Sequence, residues 1–344
     1  MIPLLSVVGV GLACPLGLYS AAVLAATRAG IIRFERLEAP AVTVGRLSRL
    51  DAGLSRGDRM RALMRYALTE VGQAPFSLGP AALPVFLALP EPDSGAHYDE
   101  HVFIDALYGE ALTCLGVPIV LPEQAIVRHG RAGLFTALGR AAAFLANGTA
   151  PWVLVGAVDS LVDGETVGML AGKNILLGDR NMDGRVASEA AGFFLVIRAP
   201  VRDARGHIVA LAEELDAAHC FAAVRAGAAL NTGPALTRLF RRLGTAFSSR
   251  SDAVFSAQPG EGFWGREFSY AYLRNVAWMP EPLRMQAVGA AHGDTGAAAG
   301  AMALSHALAS LGPQRWSSPP AARSALIYGA SDTGALGGCA LIAA

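Results

Sequence analysis

One stretch near the middle of the chain, residues 129–160, most constrains the fold. It reads HGRAGLFTALGRAAAFLANGTAPWVLVGAVDS. Small side chains recur at near-helical spacing between Gly133 and Ala146, which predicts a helix that packs closely on one face. Asn147-Gly148 ends this helix, because Gly is favoured just past a helix C-terminus. The apolar run 152–156 predicts a short strand covered on both faces.

The rest of the chain alternates strands with helices. Periodicity predicts strands at 5–10, 84–90, 190–197, 208–214, 252–257, 323–330 and 338–343. It predicts helices at 20–29, 58–73, 102–114, 231–247 (capped near Thr232), 267–275 and in the second part of 288–311, with a polar connection at 162–188. This alternation predicts an α/β protein with parallel or mixed sheets. We divide the chain into an N-terminal half (1–198) and a C-terminal half (199–344). No flexible linker separates these halves, so we expect one compact unit.

Composition excludes several classes of protein. The chain has 28 Lys+Arg and 28 Asp+Glu, so no excess of positive charge favours nucleic acid as a partner. The first 27 residues carry no charge, but they lack a basic start and are interrupted by Pro and Gly, which argues against a signal peptide or membrane span. We therefore expect a cytoplasmic protein. The 53% hydrophobic content suggests a subunit interface.

Three sharper hypotheses fail on spacing or partners. The acidic run 179–184 lacks the liganding alternation of an EF-hand loop. The Gly-Val-Gly at 9–11 lacks the third Gly and the acidic residue of a dinucleotide site. Ser160 and Ser188 show no neighbouring base, which argues against a hydrolase. The four cysteines have no metal spacing and are expected to be buried free thiols, so we expect no metal and no cofactor.

Five segments, in order, resemble the β-ketoacyl synthase branch of the thiolase-fold family. They are VVGVGLACPLG (7–17) with RAGIIRF (28–34), LVGAVDS (154–160), SEAAGFFLVI (188–197), GDTGAAAGAMAL (293–304) and GASDTGALGGCALI (329–342). The resemblance covers essentially the whole chain. It implies a five-layer α/β/α/β/α fold of two related halves with mixed five-stranded sheets, usually dimeric. It also implies a structural role for Glu189.

The residues with which this family condenses acyl groups are replaced here. The family uses a Cys nucleophile at a helix N-terminus and two His, or His and Asn. Counting along the ungapped helix places that Cys on Arg131, which cannot act as a nucleophile. The second segment becomes Gln258-Pro259-Gly260, and the last His becomes Asp294. We therefore expect no catalytic residue.

Arg131 and its neighbours leave several roles open. Two roles fit Arg131: an anchor for an anion, or one partner of an ion pair with Asp294 that fills the old site. His129 and His292 are the possible substitutes for the lost imidazoles, although simple hydrogen bonding is expected of both. Phe263-Trp264 is equally compatible with a lid over the old acyl tunnel and with an aromatic pair that contacts a partner.

The resemblance therefore favours a non-catalytic protein that binds another protein. One setting is an accessory protein, similar to the thiolase-like proteins beside bacterial type VI secretion effectors, whose partner is the effector. The other is a chain-length-factor-like subunit, whose partner is an active ketosynthase or an acyl-carrier protein. A homo- or heterodimer fits both. The alternative is an acyltransferase of the 3-oxoacyl-ACP synthase type that uses His292 with a remote Cys.

Overall fold

The computed structural model describes residues 4–74, 81–148, 150–198, 200–201, 203–311 and 322–344. The strands are β1 Leu5–Ala13, β2 Glu35–Glu38, β3 Ala41–Val44, β4 Leu83–Ala88, β5 Ile119–Val120, β6 Ile126–Val127, β7 Val153–Ser160, β8 Glu189–Ile197, β9 Gly206–Leu215, β10 Ala253–Ser256, β11 Met285–Ala287, β12 Ser324–Ala330 and β13 Ala335–Ile342. The helices are α1 Ser20–Arg28, α2 Arg56–Gly72, α3 Glu100–Leu115, α4 Gly133–Ala146, α5 Gly164–Gly172, α6 Phe221–Arg225, α7 Pro234–Gly244, α8 Gly262–Leu273, α9 Gly289–His292 and α10 Ala299–Ser310.

The sheet shows two sets of strands with the same order and directions. The first set runs β1, β8, β7, β4 and then β5 and β6, which both pair with β4. The second runs β9, β13, β12, β10 and β11. In each set the first two pairings are antiparallel and the later ones are parallel. A short antiparallel pairing of β1 with β9 joins the sets. The boundary at 198/199 stays a prediction, and residue 199 lies outside the described residues.

The helices form three layers around these two sets of strands. Helices α4 and α10 lie in the middle, because each contacts strands of both sets. Helices α2 and α3 cover the outer side of the first set, whereas α7 and α8 cover the second. The central layer is built from small and aliphatic side chains that are almost fully buried. The α/β class and the five-layer arrangement expected from the sequence are confirmed.

Each central helix follows a short 3₁₀ turn that opens with a left-handed glycine. The turns are Gly130–Ala132 and Gly296–Ala298, and φ is 47° at Gly130 and 53° at Gly296. A Cβ on Gly130 would lie 2.7 Å from Glu91 Oε1, and one on Gly296 would lie 2.0 Å from Asp159 Oδ2. Glycine therefore provides both the backbone conformation and the close approach of a carboxylate.

Several local predictions are wrong. The connection 162–188 contains α5, whose start is capped by the Asp163 side chain accepting from Thr166 N. The predicted helix 231–247 begins only at Pro234, since Gly233 has φ 69° and Pro suits the first helical position. No side chain caps it, so the predicted cap at Thr232 is wrong. Helix α8 starts at Gly262 rather than at 267. No described helix is long and apolar enough to cross a membrane.

Candidate functional site

Four buried or half-buried charges form a closed ring at the N-terminal end of α4. Arg131 Nη1 lies 2.9 Å from Asp294 Oδ2, and Arg185 Nη1 lies 3.0 Å from the same oxygen. Arg185 Nη1 also lies 2.9 Å from Asp332 Oδ2, and Arg131 Nη2 donates to Asp332 Oδ1. Each guanidinium thus pairs with both carboxylates. We call this ring of two arginines and two aspartates the ionic square.

The four members of the ionic square come from four different segments. Arg131 lies in the turn before α4, Arg185 in the loop before β8, Asp294 in the loop before α10 and Asp332 between β12 and β13. A short parallel bridge holds Asp294, whose backbone N donates to Val186 O at 2.7 Å. The square therefore ties together both halves of the fold.

Two aromatic rings and two further polar side chains enclose the arginines. The Arg131 guanidinium lies 4.9 Å from the ring centre of Trp264, and that of Arg185 lies 4.7 Å from Phe221. Glu261 accepts from Arg185 Nε at 3.0 Å and from Trp264 Nε1 at 2.7 Å. Gln258 Oε1 accepts from Arg131 Nε at 3.2 Å. Trp264 is only 3% exposed, so it packs over Arg131 inside the protein and has almost no surface with which to contact a partner.

The electrostatics favour the charged forms of Arg131, Arg185 and Asp332. Burial acts to lower the pKa of Arg131 and Arg185, but the nearby carboxylates outweigh it and raise both pKa values. Burial acts to raise the pKa of Asp332, yet the two guanidiniums outweigh it and hold this pKa well below its usual range. Burial, then the charge of Asp332, raises the pKa of Glu91. Paired buried charges of this kind are far less costly than isolated ones.

Other buried charges near the site have structural partners. Arg56 Nη2 lies 2.8 Å from Asp159 Oδ1, and Asp159 Oδ2 accepts from Ala297 N at 3.0 Å. Glu189 accepts two hydrogen bonds from Arg59, at 2.8 and 2.7 Å, and one from Ser160 Oγ at 2.9 Å. These contacts agree with the structural role that the resemblance implies for Glu189.

A cavity of about 530 Å³ lies against the ionic square. All four members of the square line it. Its apolar lining includes Leu161, Leu170, Ile175 and Phe221, and its charged lining includes Lys173 and Arg225. The volume is in the range of ligand-binding pockets. The side chains of the ionic square therefore leave this cavity open.

The structure brings Arg131 and Asp294 together and places the two predicted histidines elsewhere. The predicted Arg131–Asp294 ion pair is confirmed at 2.9 Å. His292 lies elsewhere and is buried, with its Nδ1 3.7 Å from Cys14 Sγ and its Nε2 2.8 Å from His306 Nε2. His129 forms a 3.3 Å hydrogen bond with Thr136 Oγ1. Neither histidine lines the cavity, and hydrogen bonding is what the sequence predicted for both.

Burial controls the chemistry of the histidine–cysteine group. Burial, then the charge of His306, lowers the pKa of His292 to about 3. Burial raises the pKa of the Cys14 thiol to about 12. Burial also lowers the pKa of His129. All four cysteines are free thiols, and all but Cys114 are buried. Within the described ranges no group of three side chains is arranged to hold a metal ion.

No motif in the sequence predicts Arg185, Asp332, Glu91 or Glu261 as site residues. Arg185 follows a turn-rich run, and Asp332 lies inside the closing glycine motif, so neither drew attention as a site residue. One signal was available. A fully buried arginine at a helix N-terminus needs more negative charge than one aspartate provides, because the helix dipole is unfavourable to it.

Comparisons with solved structures agree with this architecture. No protein-family model and no curated protein matches the sequence. The ishigamide ketosynthase/chain length factor aligns with a TM-score of 0.72 and 18% identity, over 98% of this chain and 99% of that one. The chain has the thiolase-like fold of the ketosynthases. A type II polyketide synthase acyl-carrier protein in complex with its ketosynthase gives a TM-score of 0.78 at 14% identity, over 99% of both chains.

A third ketosynthase structure matches only part of a longer chain. The oxazolomycin ketosynthase domain of Streptomyces albus aligns with a TM-score of 0.70 and 14% identity, over 99% of this chain and 75% of that one. At these identities the likeness concerns the ketosynthase fold and not the reaction.

Proposed function

We propose that the chain is a non-catalytic ketosynthase-like protein that acts by binding another protein. One observation carries the proposal: Arg131 stands where the resemblance places the cysteine nucleophile, and the ionic square holds it there. A guanidinium stays protonated and has no nucleophilic lone pair at neutral pH. The positive charge also opposes the helix dipole that would activate a thiol at this position.

The alignment behind this proposal is supported by geometry. The sequence comparison assigns the three family positions to Arg131, the segment starting at Gln258, and Asp294. In the structure, Gln258 and Asp294 both accept hydrogen bonds from Arg131, at 3.2 and 2.9 Å. Three positions that are far apart in the chain therefore meet, as the residues of one ancestral site should.

Two kinds of binding partner are compatible with this proposal: an active ketosynthase and a type VI secretion effector. The ishigamide structure is named as a ketosynthase/chain length factor, and the match spans nearly all of both chains. This supports a subunit that pairs with an active ketosynthase, with an acyl-carrier protein as a further partner. The accessory role beside a type VI secretion effector rests on the sequence segments alone. Co-expression with each candidate, followed by light scattering of the purified complex, distinguishes a heterodimer from a homodimer.

One observation favours the alternative, an acyltransferase. Cys14 Sγ lies 3.7 Å from His292 Nδ1, so a thiol and an imidazole are adjacent. Their burial opposes the reaction, because a thiol with a pKa of about 12 provides almost no thiolate at neutral pH. Cys14 is fully buried and does not line the cavity. This arrangement resembles a structural core contact more than an activated nucleophile.

The test of the proposal is decarboxylation. Malonyl-CoA and malonyl-acyl-carrier protein labelled at the free carboxyl are incubated with the wild type, with Cys14→Ala and with an active ketosynthase. We expect label release only from the active ketosynthase. Release by the wild type would contradict the non-catalytic proposal, and its loss in Cys14→Ala would locate the activity at Cys14 and His292.

A further inference from the structure

A cavity of about 730 Å³ lies apart from the ionic square. Residues of α1, α10, β10 and β11 line it, so it lies at the end of the sheet where β11 is the last strand. It shares no lining residue with the cavity at the ionic square. We call it the α1–α10 groove. The proposed function assigns no role to this groove.

Positive charge lines the α1–α10 groove, and negative charge does not. Arg28 of α1 and Arg284, just before β11, both line it. Every Asp and Glu of the chain lies within the described ranges, and none of them lines the groove. The two that are nearest in sequence to lining residues are engaged elsewhere. Asp252 accepts from two backbone N–H groups at the start of β12, at 2.8 and 2.9 Å, and Glu281 pairs with Arg250. An anion in the groove would therefore meet no opposing carboxylate.

Arg28 is placed to contact an anion in the groove. Its side chain is exposed, and Nη2 donates to Ala309 O at 3.1 Å. This bond lies in the last turn of α10, where the helix dipole favours a cation. Capping of this kind uses only one of the five N–H donors of a guanidinium. Across the described ranges Arg28 forms no ion pair, so its charge and its other donors are available to a ligand.

A buried imidazole beside Arg28 shows that this charge is not compensated locally. His306 lines the groove and is only 6% exposed. Burial, then the charge of Arg28, lowers its pKa to about 4, and no carboxylate acts in the opposite direction. Its Nε2 lies 2.8 Å from His292 Nε2, which holds the ring in place. An anion next to both side chains would reduce the repulsion that opposes a proton on His306.

Apolar side chains also line the groove. Leu283 and Met285 are 44% and 37% exposed, and Leu24 on α1 is half-buried. Apolar side chains next to a guanidinium favour a ligand that carries one anionic group on an apolar body. The volume of about 730 Å³ is within the range of pockets that enclose small organic molecules.

We propose that the α1–α10 groove binds a small organic anion. Its carboxylate or phosphate group lies at Arg28 and His306, and its apolar part lies against Leu283 and Met285. This site goes beyond the proposed function, because it involves neither the ionic square nor a protein partner.

The test is isothermal titration calorimetry of the full chain at pH 7. The probes are octanoate, octyl phosphate, the neutral 1-octanol and inorganic phosphate. At least one of the two octyl anions should bind about tenfold or more tightly than 1-octanol, because a guanidinium forms charge-assisted hydrogen bonds only with an anion. Inorganic phosphate should bind at least about tenfold more weakly than the better octyl anion, because it lacks the apolar body. The better of the two octyl anions identifies the acid group.

Two variants and a control examine the contacts. Arg28→Gln should weaken the better anion at least about tenfold. Met285→Glu should do the same, because it places a carboxylate in the groove. Arg241→Gln, on α7 and outside the groove, should change the affinity less than about twofold. All three side chains are exposed, so each variant should keep the fold.

Nuclear magnetic resonance locates the bound anion. The ring signals of His306, identified by their loss in His306→Gln, should shift when the better anion is added. Those of His219, which does not line the groove, should not shift.

Four outcomes would overturn the inference. They are no binding of either octyl anion, equal binding of 1-octanol, an affinity that Arg28→Gln leaves unchanged, and ring signals of His306 that do not move. Inorganic phosphate that binds as tightly as the better octyl anion would remove the apolar contact and overturn it as well. None of these measurements involves acyl transfer or a partner protein, so failure here leaves the non-catalytic proposal standing.

Discussion

Arg131 and Asp294 are 163 positions apart in the chain, yet their side chains meet at 2.9 Å where the two halves of the fold join. Their side chains are 3% and 0% exposed. Each also contacts a second member of the ionic square, so neither charge depends on one partner alone. Removing one member leaves the others buried with unbalanced charge, which is the costly change in such a network.

We expect Arg131→Met to destabilise the protein by about 3–5 kcal/mol, because Asp294 and Asp332 then lose a cation. Arg131→Met/Asp294→Asn should recover part of this loss. The free energy of unfolding in urea for the two single variants and the double variant gives the coupling.

The control for this cycle is Arg36–Asp179, an ion pair of 2.7 Å whose side chains are 48% and 69% exposed. Water and salt screen such a pair, so its coupling should be a small fraction of that in the square. Equal couplings for the two pairs would contradict the role assigned to burial.

The sequence predicted only the part of the site that local motifs mark. The Arg131–Asp294 pair followed from aligned motifs, because glycine-rich turns mark the starts of α4 and α10. Arg185 was missed because its importance depends on Asp332 and Glu261, which come close only after folding. No local pattern in the chain connects residues so far apart.

The same limit explains the errors in secondary structure. Helix α5 contains Gly164, Gly168 and Gly172, which weaken its helix propensity. Capping by Asp163 and burial of Val167 and Leu170 favour the helix instead. Long periodic elements such as α2 were predicted to within two residues, because their own burial pattern determines them.

The buried imidazole pair should make stability fall in acid. Burial and neighbouring charge lower the pKa of His292 to about 3 and of His306 to about 4, whereas unfolded histidines titrate near 6.5. Between about pH 6.5 and 4 the unfolded chain therefore binds more protons, and each histidine costs up to about 1.4 kcal/mol of stability per pH unit.

The variant His306→Gln isolates this effect. Unfolding free energies of the wild type and the variant are compared from pH 7.5 to 4.5. As the pH falls, the stability of the variant should decrease less steeply than that of the wild type. The difference in slope should be that of about one bound proton, or about 1.4 kcal/mol per pH unit. Parallel slopes for the two proteins would show that His306 is not held neutral by burial.

Glu267 should have the opposite effect on stability. Burial, against a hydrogen bond from Asn231 at 2.8 Å, raises its pKa to about 7. The native state then binds the extra proton between about pH 4.5 and 7, so stability falls by about 1.4 kcal/mol per unit as pH rises through this window. Glu267→Gln keeps the acceptor for Asn231 but does not titrate. Its stability relative to the wild type should rise from pH 4.5 to 7.5, and a constant difference would refute the assignment.

The turn before α10 should not tolerate a side chain. In Gly296→Ala the new Cβ would lie 2.0 Å from Asp159 Oδ2, in addition to the strain of a φ of 53°. Gly30→Ala is the matched control, since φ is 69° there and nothing lies within 4 Å of its Cβ. The control should lose about 1–2 kcal/mol from backbone strain alone. Gly296→Ala should lose clearly more by thermal or urea unfolding, and equal losses would show that Asp159 moves aside freely.

Intact-protein mass spectrometry after incubation with acetyl-CoA, octanoyl-CoA or the matching acyl-carrier proteins tests the central claim most directly. An active ketosynthase in the same experiment shows that the acyl donors work. We predict that the wild-type mass stays unchanged, because Arg131 replaces the nucleophile and Cys14 is buried as a thiol. A stable gain of one acyl group, located on Cys14 and lost in Cys14→Ala, would contradict the account and make this protein a working acyltransferase.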